Sequence, residues 1–265
     1  MLKVRVIPTL LWKQVGLVKG VGFDSWRRVG PVLPAIKVYN QREVDELVLL
    51  DIVAHATGDE PDTESVDDFA ADCFVPLTVG GGITGIAQVQ RLLRAGADKV
   101  AVNTAAYADP GLIDAIAQRH GSQCVVASID VRNTGPGQWQ CFSHAGQHAT
   151  GRAVRDWARE LEDRGAGEIL LTSVERDGTM QGYDLDLIAQ VAQAVRIPVI
   201  ASGGAGNYRH MVDAVLQAGA SAVAAASIFH YTEQTPAGAK AAMAAAGIPV
   251  RSGFVPAPAV HALPA

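Results

Sequence analysis

Two aspartates close apolar runs in this chain: Asp51 follows Leu49-Leu50 and Asp130 follows Ser128-Ile129, while a third, Asp177, stands in Arg176-Asp177-Gly178-Thr179. A carboxyl group among apolar neighbours resists ionisation, so its pKa rises toward the range where it can take and return a proton. Asp130 is the candidate for such acid–base work; Asp51 suits a structural hydrogen-bond acceptor equally well. Glycines form a second constellation. Gly80-Gly81-Gly82 is followed by Asn103-Thr104, and Gly203-Gly204 by Ala226-Ser227. Glycine lets a backbone approach a phosphate closely, and a neighbouring hydroxyl or amide adds a donor. One such cluster would suit a tight turn. Two, each with its partner, point to two phosphate cradles: Gly82, Asn103 and Thr104 in one, and Gly203, Gly204, Ala226 and Ser227 with Asp177-Gly178 in the other. The ligand expected is a small molecule phosphorylated at both ends. Lys19 is a further anion contact or a surface lysine. Arg5, Glu46, Lys99 and Glu168 precede or open apolar runs and could form a ring of ion pairs; position alone favours a stabilising role.

The elements that must position these residues show as eight short apolar runs: residues 4–11, 47–53, 75–79, 99–103, 124–131, 168–174, 198–202 and 222–228. Their near-continuous apolar character suits strands buried on both faces. Helical patterns lie between them, at residues 86–95, 112–120, 153–164, 185–195 and 208–218. Eight strands alternating with helices over this length suggest an α/β fold of the (β/α)8 barrel type, a TIM barrel. Its active site would lie at the C-terminal ends of the strands, with Asp51 and Asp130 at the ends of the second and fifth and Lys19 in the loop after the first. A doubly wound open sheet is the other architecture to weigh, and an internal repeat weakens it. Pro76 to Gly82 resembles Pro198 to Gly204 at an offset of 122, Glu46 to Leu50 resembles Glu168 to Thr172 at the same offset, and Ala95 to Thr104 resembles Ala218 to Ser227 at 123. The chain reads as two half-barrels closing into one domain over residues 1–251, with residues 252–265 a disordered tail. In this register the counterpart of Asp130 falls near residue 11. That residue is leucine, so the chain holds half of an acid–base couple.

Composition narrows the function classes. The 265 residues are 49% apolar and 18% charged, with a net charge of −5. This is an ordinary globular composition, and its mild acidity argues against nucleic acid as a partner. Three widely spaced cysteines, Cys73, Cys124 and Cys141, suit buried small residues better than disulfides or zinc ligands. No run approaches the ~20 apolar residues of a membrane span, and no signal peptide opens the chain. The expectation is a cytoplasmic protein without cofactor, metal or membrane association.

Across residues 1–251 the chain resembles the cyclase subunit of imidazole glycerol phosphate synthase. The resemblance is carried by Arg5-Val6-Ile7-Pro8, Val18-Lys19-Gly20, Asp45-Glu46-Leu47, Leu50-Asp51-Ile52, Pro76 to Ile83, Leu92 to Ala105, Gly165 to Thr172, Arg176 to Thr179, Ile200 to Asn207 and Ala226 to His230. It implies a barrel in a heterodimer with a glutaminase subunit, a glutamine amidotransferase complex of lyase type. Ammonia would enter through a gate formed by Arg5, Glu46, Lys99 and Glu168, with Asp98 at the glutaminase interface. At the top a bisphosphate nucleotide derivative would be attacked by ammonia and cyclised. Lys19 is the further anion candidate there; Gly82, Asn103, Thr104, Asp177, Gly178, Gly203, Gly204, Ala226 and Ser227 match the family's phosphate positions, and Asp130 matches one of its two catalytic aspartates.

After Ile7-Pro8 the family usually has Cys-Leu-Asp, and here Thr9-Leu10-Leu11 stands instead. Leucine cannot exchange a proton, and losing an acid–base group typically costs about a hundredfold to ten-thousandfold in rate. This pattern is similar to a branch found with surface-polysaccharide genes, whose barrel and glutaminase supply ammonia to a separate sugar amidotransferase making acetamidino sugars. The main expectation is therefore ammonia delivery for acetamidino-sugar formation in lipopolysaccharide-type synthesis. The alternatives are a true cyclase of histidine biosynthesis, making imidazole glycerol phosphate and an aminoimidazole carboxamide ribonucleotide, and a non-catalytic scaffold that activates the glutaminase.

Overall fold

The computed structural model describes residues 2–13 and 16–251, apart from the side chains of residues 55 and 56. The expected tail, residues 252–265, lies outside the described residues. Twelve strands are described: β1 (Arg5–Lys13), β2 (Gly16–Val21), β3 (Asp24–Gly30), β4 (Leu47–Asp51), β5 (Leu77–Gly80), β6 (Lys99–Val102), β7 (Val125–Gly135), β8 (Gln138–Ser143), β9 (His148–Ala153), β10 (Glu168–Ser173), β11 (Val199–Ser202) and β12 (Ala222–Ala225). Eight of them pair in parallel in the order β1-β4-β5-β6-β7-β10-β11-β12, and β12 returns to β1, closing a (β/α)8 barrel. Each strand is buried twice. One face meets the surrounding helices through residues such as Leu10, Leu49, Val100 and Ile129. The other meets the barrel interior through Ile7, Val48, Ala101, Val126, Leu170, Ile200, Ala222 and Ala224. Burying a leucine or isoleucine in this way is worth roughly 1.5–3 kcal/mol, which is why apolar residues run on without alternation.

The helices expected from the sequence form as Ile86–Arg94, Gly111–His120, Val154–Asp163, Leu185–Ala192 and Tyr208–Leu216, the second longer by one residue and the others trimmed by one to three residues at an end. Their caps are local chemistry. Asp184 accepts a hydrogen bond from Leu187 N at 3.1 Å, and its other oxygen accepts from Trp139 Nε1 at 2.9 Å. One side chain thus starts a helix and ties β8 to it. Among the described residues no helix is long and apolar enough to cross a membrane.

Two features depart from the sequence expectation. β1 and β7 do not stop at the barrel rim; each runs on into an antiparallel ribbon, β1-β2-β3 and β7-β8-β9. Lys19 therefore lies in a strand, β2, and not in a loop; it is 2% exposed, so the surface-lysine alternative falls. Asp130 likewise sits within β7, level with the rim, and does not end the strand. The ribbons also extend the two-fold repeat, since they spring from the first strand of each half. Strand pairing fixes that repeat residue by residue. Leu11 is opposite Leu50 and Asp130 is opposite Thr172, and Leu50 and Thr172 are 122 residues apart. Leu11 is the counterpart of Asp130.

Candidate functional site

A cavity of about 710 Å³ opens at the C-terminal ends of the barrel strands. Asp130 and every residue singled out as a phosphate contact line it. β7 carries Asp130 into the cavity, where the carboxyl is buried and Asn103 Nδ2 donates to its Oδ2 at 2.6 Å. Burial, reinforced by the charge of Asp177, pushes its pKa up to about 7, against the opposing pull of Asn103 and Arg132. That value lies where a carboxyl group can both accept and release a proton. Leu11, its counterpart on the first strand, lines the same cavity, as do Leu50 and Ile52.

Lys19 Nζ donates to Asp177 Oδ2 at 2.6 Å and to the Gly20 carbonyl at 3.0 Å. Burial raises the pKa of Asp177, and the lysine charge works against that rise. The ribbon that carries Lys19 is stitched down on both sides. Gly22 N donates to Asp177 O at 2.8 Å, and Tyr231 Oη donates to Lys19 O at 3.3 Å. Asp51 resolves to the structural alternative: its Oδ1 accepts from Val53 N at 2.9 Å and Ala54 N at 3.1 Å, holding the turn after β4.

The two glycine clusters are required by close approach. Gly81 has φ +104° and a Cβ there would sit 2.1 Å from Asp51 O; Gly203 has φ +90° and a Cβ there would sit 2.6 Å from Ser173 O. No L side chain fits either position. At the first cluster Thr104 Oγ1 accepts from His144 N at 3.0 Å, which leaves the hydroxyl proton of Thr104 directed elsewhere. Gly82 and Gly178 line the cavity beside these groups, and Gly204, Ala226 and Ser227 close its second side. Sequence reasoning missed the ribbon residues Phe23, Trp26, His144 and Arg152, which also line the cavity. It missed the hydroxyls of Thr9, Ser128, Thr172 and Ser202 at its floor as well. Their signal was present in the alternation along each strand, two residues beyond an interior apolar residue.

At the opposite rim the four charges do close a ring. Arg5 meets Glu46 at 2.6 Å and Glu168 at 2.8 Å, and Lys99 meets the same two carboxylates at 3.0 and 3.2 Å. Thr78 Oγ1 donates to Glu46 at 2.8 Å. Glu46 and Glu168 are counterparts in the two halves, whereas Arg5 and Lys99 come from the first and fourth barrel strands. A partly buried ring of this kind is weak support for stability, because desolvation offsets much of the attraction. Beside it the exposed Asp98 accepts from Leu77 N at 2.8 Å. Ala101, Leu170 and Ala224 are shared by the apolar interior and the cavity lining, so the apolar interior separates ring from cavity. Among the described residues no three His, Cys, Asp or Glu side chains are grouped to hold a metal ion.

The profile described as "Histidine biosynthesis protein" matches residues 5–235. The chain is 51% identical over 252 residues to the imidazole glycerol phosphate synthase subunit HisF of Hyphomonas neptunium, covering 95% of this chain and 100% of that one. It is 48% identical over 251 residues to the subunit of the same name from Gluconacetobacter diazotrophicus, covering 95% and 97%. The family description speaks of histidine biosynthesis and the relatives' names of imidazole glycerol phosphate synthase; none speaks of surface polysaccharides. With its barrel, paired glycine clusters and matched length, the chain belongs to the histidine biosynthesis protein family, among the HisF-like barrels.

Proposed function

We propose that this chain is the ammonia-accepting synthase barrel of a glutaminase-coupled complex, and that its reaction is the cyclisation that yields imidazole glycerol phosphate. One observation carries the reading: Asp130 shares a single cavity with two glycine-built cradles, and the apolar interior of the barrel lies between that cavity and a closed ring of charges. The names of the relatives support the same reaction. A bisphosphate ligand spans the mouth. One phosphate lies against Gly82, Asn103 and Thr104; the other lies against Gly178, Gly203, Gly204, Ala226 and Ser227, with Lys19 and Asp177 beside it. Ammonia from the glutaminase passes Arg5, Glu46, Lys99 and Glu168, with the partner docked on the rim that carries Asp98. Asp130 takes a proton as nitrogen attacks and returns it as the ring closes. Residues 1–251 act as one domain.

A second reading rests on Leu11. The position equivalent to Asp130 bears no proton-transfer group, so a barrel that only conducts ammonia to a separate sugar amidotransferase would retain the ring and dispense with the couple. The deciding experiment gives the purified chain the family's bisphosphate formimino-ribonucleotide substrate and excess ammonium salt, with Leu11→Asp run in parallel. Turnover by the unmodified chain supports the cyclase. No turnover, with activity appearing in the variant, rejects it in favour of ammonia transfer.

A further inference from the structure

A second cavity, of about 240 Å³, shares no lining residue with the one at the strand ends. Arg42 and Glu43 line it from the turn after the helix Val32–Gln41, Lys240 from the helix Pro236–Ala245, and Val250 and Arg251 from the segment beyond that helix. One buried carboxylate ties these places together. Asp45 is 3% exposed. Its Oδ1 meets Lys240 Nζ at 2.7 Å, and its Oδ2 accepts from Val6 N at 2.8 Å. Its carbonyl accepts from Arg251 Nη1 at 3.4 Å, and Lys240 Nζ also donates to the Glu43 carbonyl at 2.6 Å. The polar side of the cavity is thus held by fixed contacts between segments far apart in the chain.

Charge in this cavity is unbalanced. Lys240 is spent on Asp45. Among the described residues neither Arg42 nor Arg251 has an ion-pair partner, and the only side-chain hydrogen bond of the two is that of Arg251 to the Asp45 carbonyl. Glu43, the one carboxylate in the lining, is exposed and pairs with neither. Two guanidinium groups therefore face one carboxylate, in a chain whose net charge is −5. Arg42 is half-buried. A cation that gives up part of its hydration and meets no acceptor is left with an uncompensated cost, which an anion in the cavity would remove. Each guanidinium is a planar fork of N–H donors matched to the paired oxygens of a carboxylate or a phosphate. The rest of the lining is apolar, three alanines of the helix Pro236–Ala245 together with Val250.

We propose that Arg42 and Arg251 form a second anion site, separate from the barrel mouth, that takes a small organic oxyanion of phosphate or carboxylate type. Size sets the class of ligand. Cofactor-sized molecules occupy clefts of roughly 300–1,000 Å³, and a water takes about 30 Å³. At about 240 Å³ the cavity is below the first range and well above a single water. Its occupant has a charged end for the two forks and a short carbon body for the alanines. The site does not depend on the cyclase reading, because none of its residues lines the large cavity or belongs to the ring.

The test reads the two arginines directly. The full-length chain is labelled with ¹⁵N at arginine, and Arg42→Lys and Arg251→Lys assign the two side-chain Nε signals. Sodium phosphate, sodium succinate and sodium chloride are then titrated at equal ionic strength and one pH. Phosphate or succinate should shift both signals together and saturate, with a dissociation constant on the order of 1 mM; whichever of the two binds more tightly identifies the oxyanion. Arg42→Gln should weaken the response at Arg251 about tenfold, and Arg251→Gln the response at Arg42, since each removes one fork. Either variant suffices should the other not fold. Shifts no larger than those in chloride would reduce the effect to screening and overturn the site. So would an Arg251 response untouched by Arg42→Gln, or an Arg42 response untouched by Arg251→Gln, because the two arginines would then not share a ligand.

Discussion

Leu11 and Asp130 occupy the same place in the two halves of the barrel, one opposite Leu50 and the other opposite Thr172. Both side chains line one cavity, and both are 8% exposed. The repeat that built the barrel has thus put an aliphatic side chain and a carboxyl group in equivalent surroundings. Leu11 pairs with Leu50 along the strands and shares the cavity lining with it, whereas Asp130 accepts a hydrogen bond from Asn103.

Leu11→Asp should therefore lower stability by about 2–4 kcal/mol at pH 8, through lost apolar burial and the desolvation of a new charge. At pH 5 the introduced group is largely protonated by its apolar surroundings, and the penalty should shrink. Urea unfolding at the two pH values checks this. An equal loss at both would mean that the new carboxylate is solvated and that the wall is open to water.

Asp130→Asn should stabilise the protein at high pH. The folded-state pKa, about 7, lies above the ordinary 3.8, so the native state holds this proton more tightly than the unfolded chain does. Stability credited to the protonated form is fully present below pH ~4 and is lost as pH rises to ~7. The variant should gain up to about 4 kcal/mol over the parent at pH 8 and nothing at pH 4. Unfolding curves across that range decide it, and a pH-independent difference would contradict the burial of the charge.

Glu46→Gln should break the ring. Glu46 is 2% exposed and meets both Arg5 and Lys99. Its loss leaves two partly buried cations sharing Glu168, and about 3 kcal/mol of destabilisation is expected. In the complex with a glutaminase, the share of glutamine nitrogen escaping to solvent should rise. Tight coupling in a well-folded variant would remove the ring from the ammonia path.

Gly203→Ala should cost about 2 kcal/mol or more and weaken phosphate binding about tenfold, because the added Cβ meets Ser173 O at 2.6 Å in a backbone of φ +90°. Gly137→Ala is the control. Its φ is +68° with nothing within 4 Å of the added carbon, so only about 1 kcal/mol is expected. Calorimetry of inorganic phosphate binding and thermal unfolding of both variants separate the clash from backbone conformation alone.

Much of this was determined by the sequence by itself. A strand buried on both faces must be apolar throughout, so β4, β10 and β12 show as runs without alternation. A turn that brings backbone against backbone admits only glycine, so Gly81 and Gly203 mark the mouth twice, and their repetition made the two halves visible. The strand-opening charges were legible as candidates for a ring. Tertiary structure alone decided the rest, because it depends on which distant residues meet. β3 is mostly exposed and carries no apolar run, so neither ribbon showed in the sequence. Without its ribbon Lys19 has no reason to be buried, and nothing local pairs it with Asp177, 158 residues away. The same holds for Asp51, which the turn after β4 claims as an acceptor, and for Thr9, whose unpaired hydroxyl exists only once eight strands have closed around it. Periodicity records which face of an element is covered; only closure of the barrel settles what covers it.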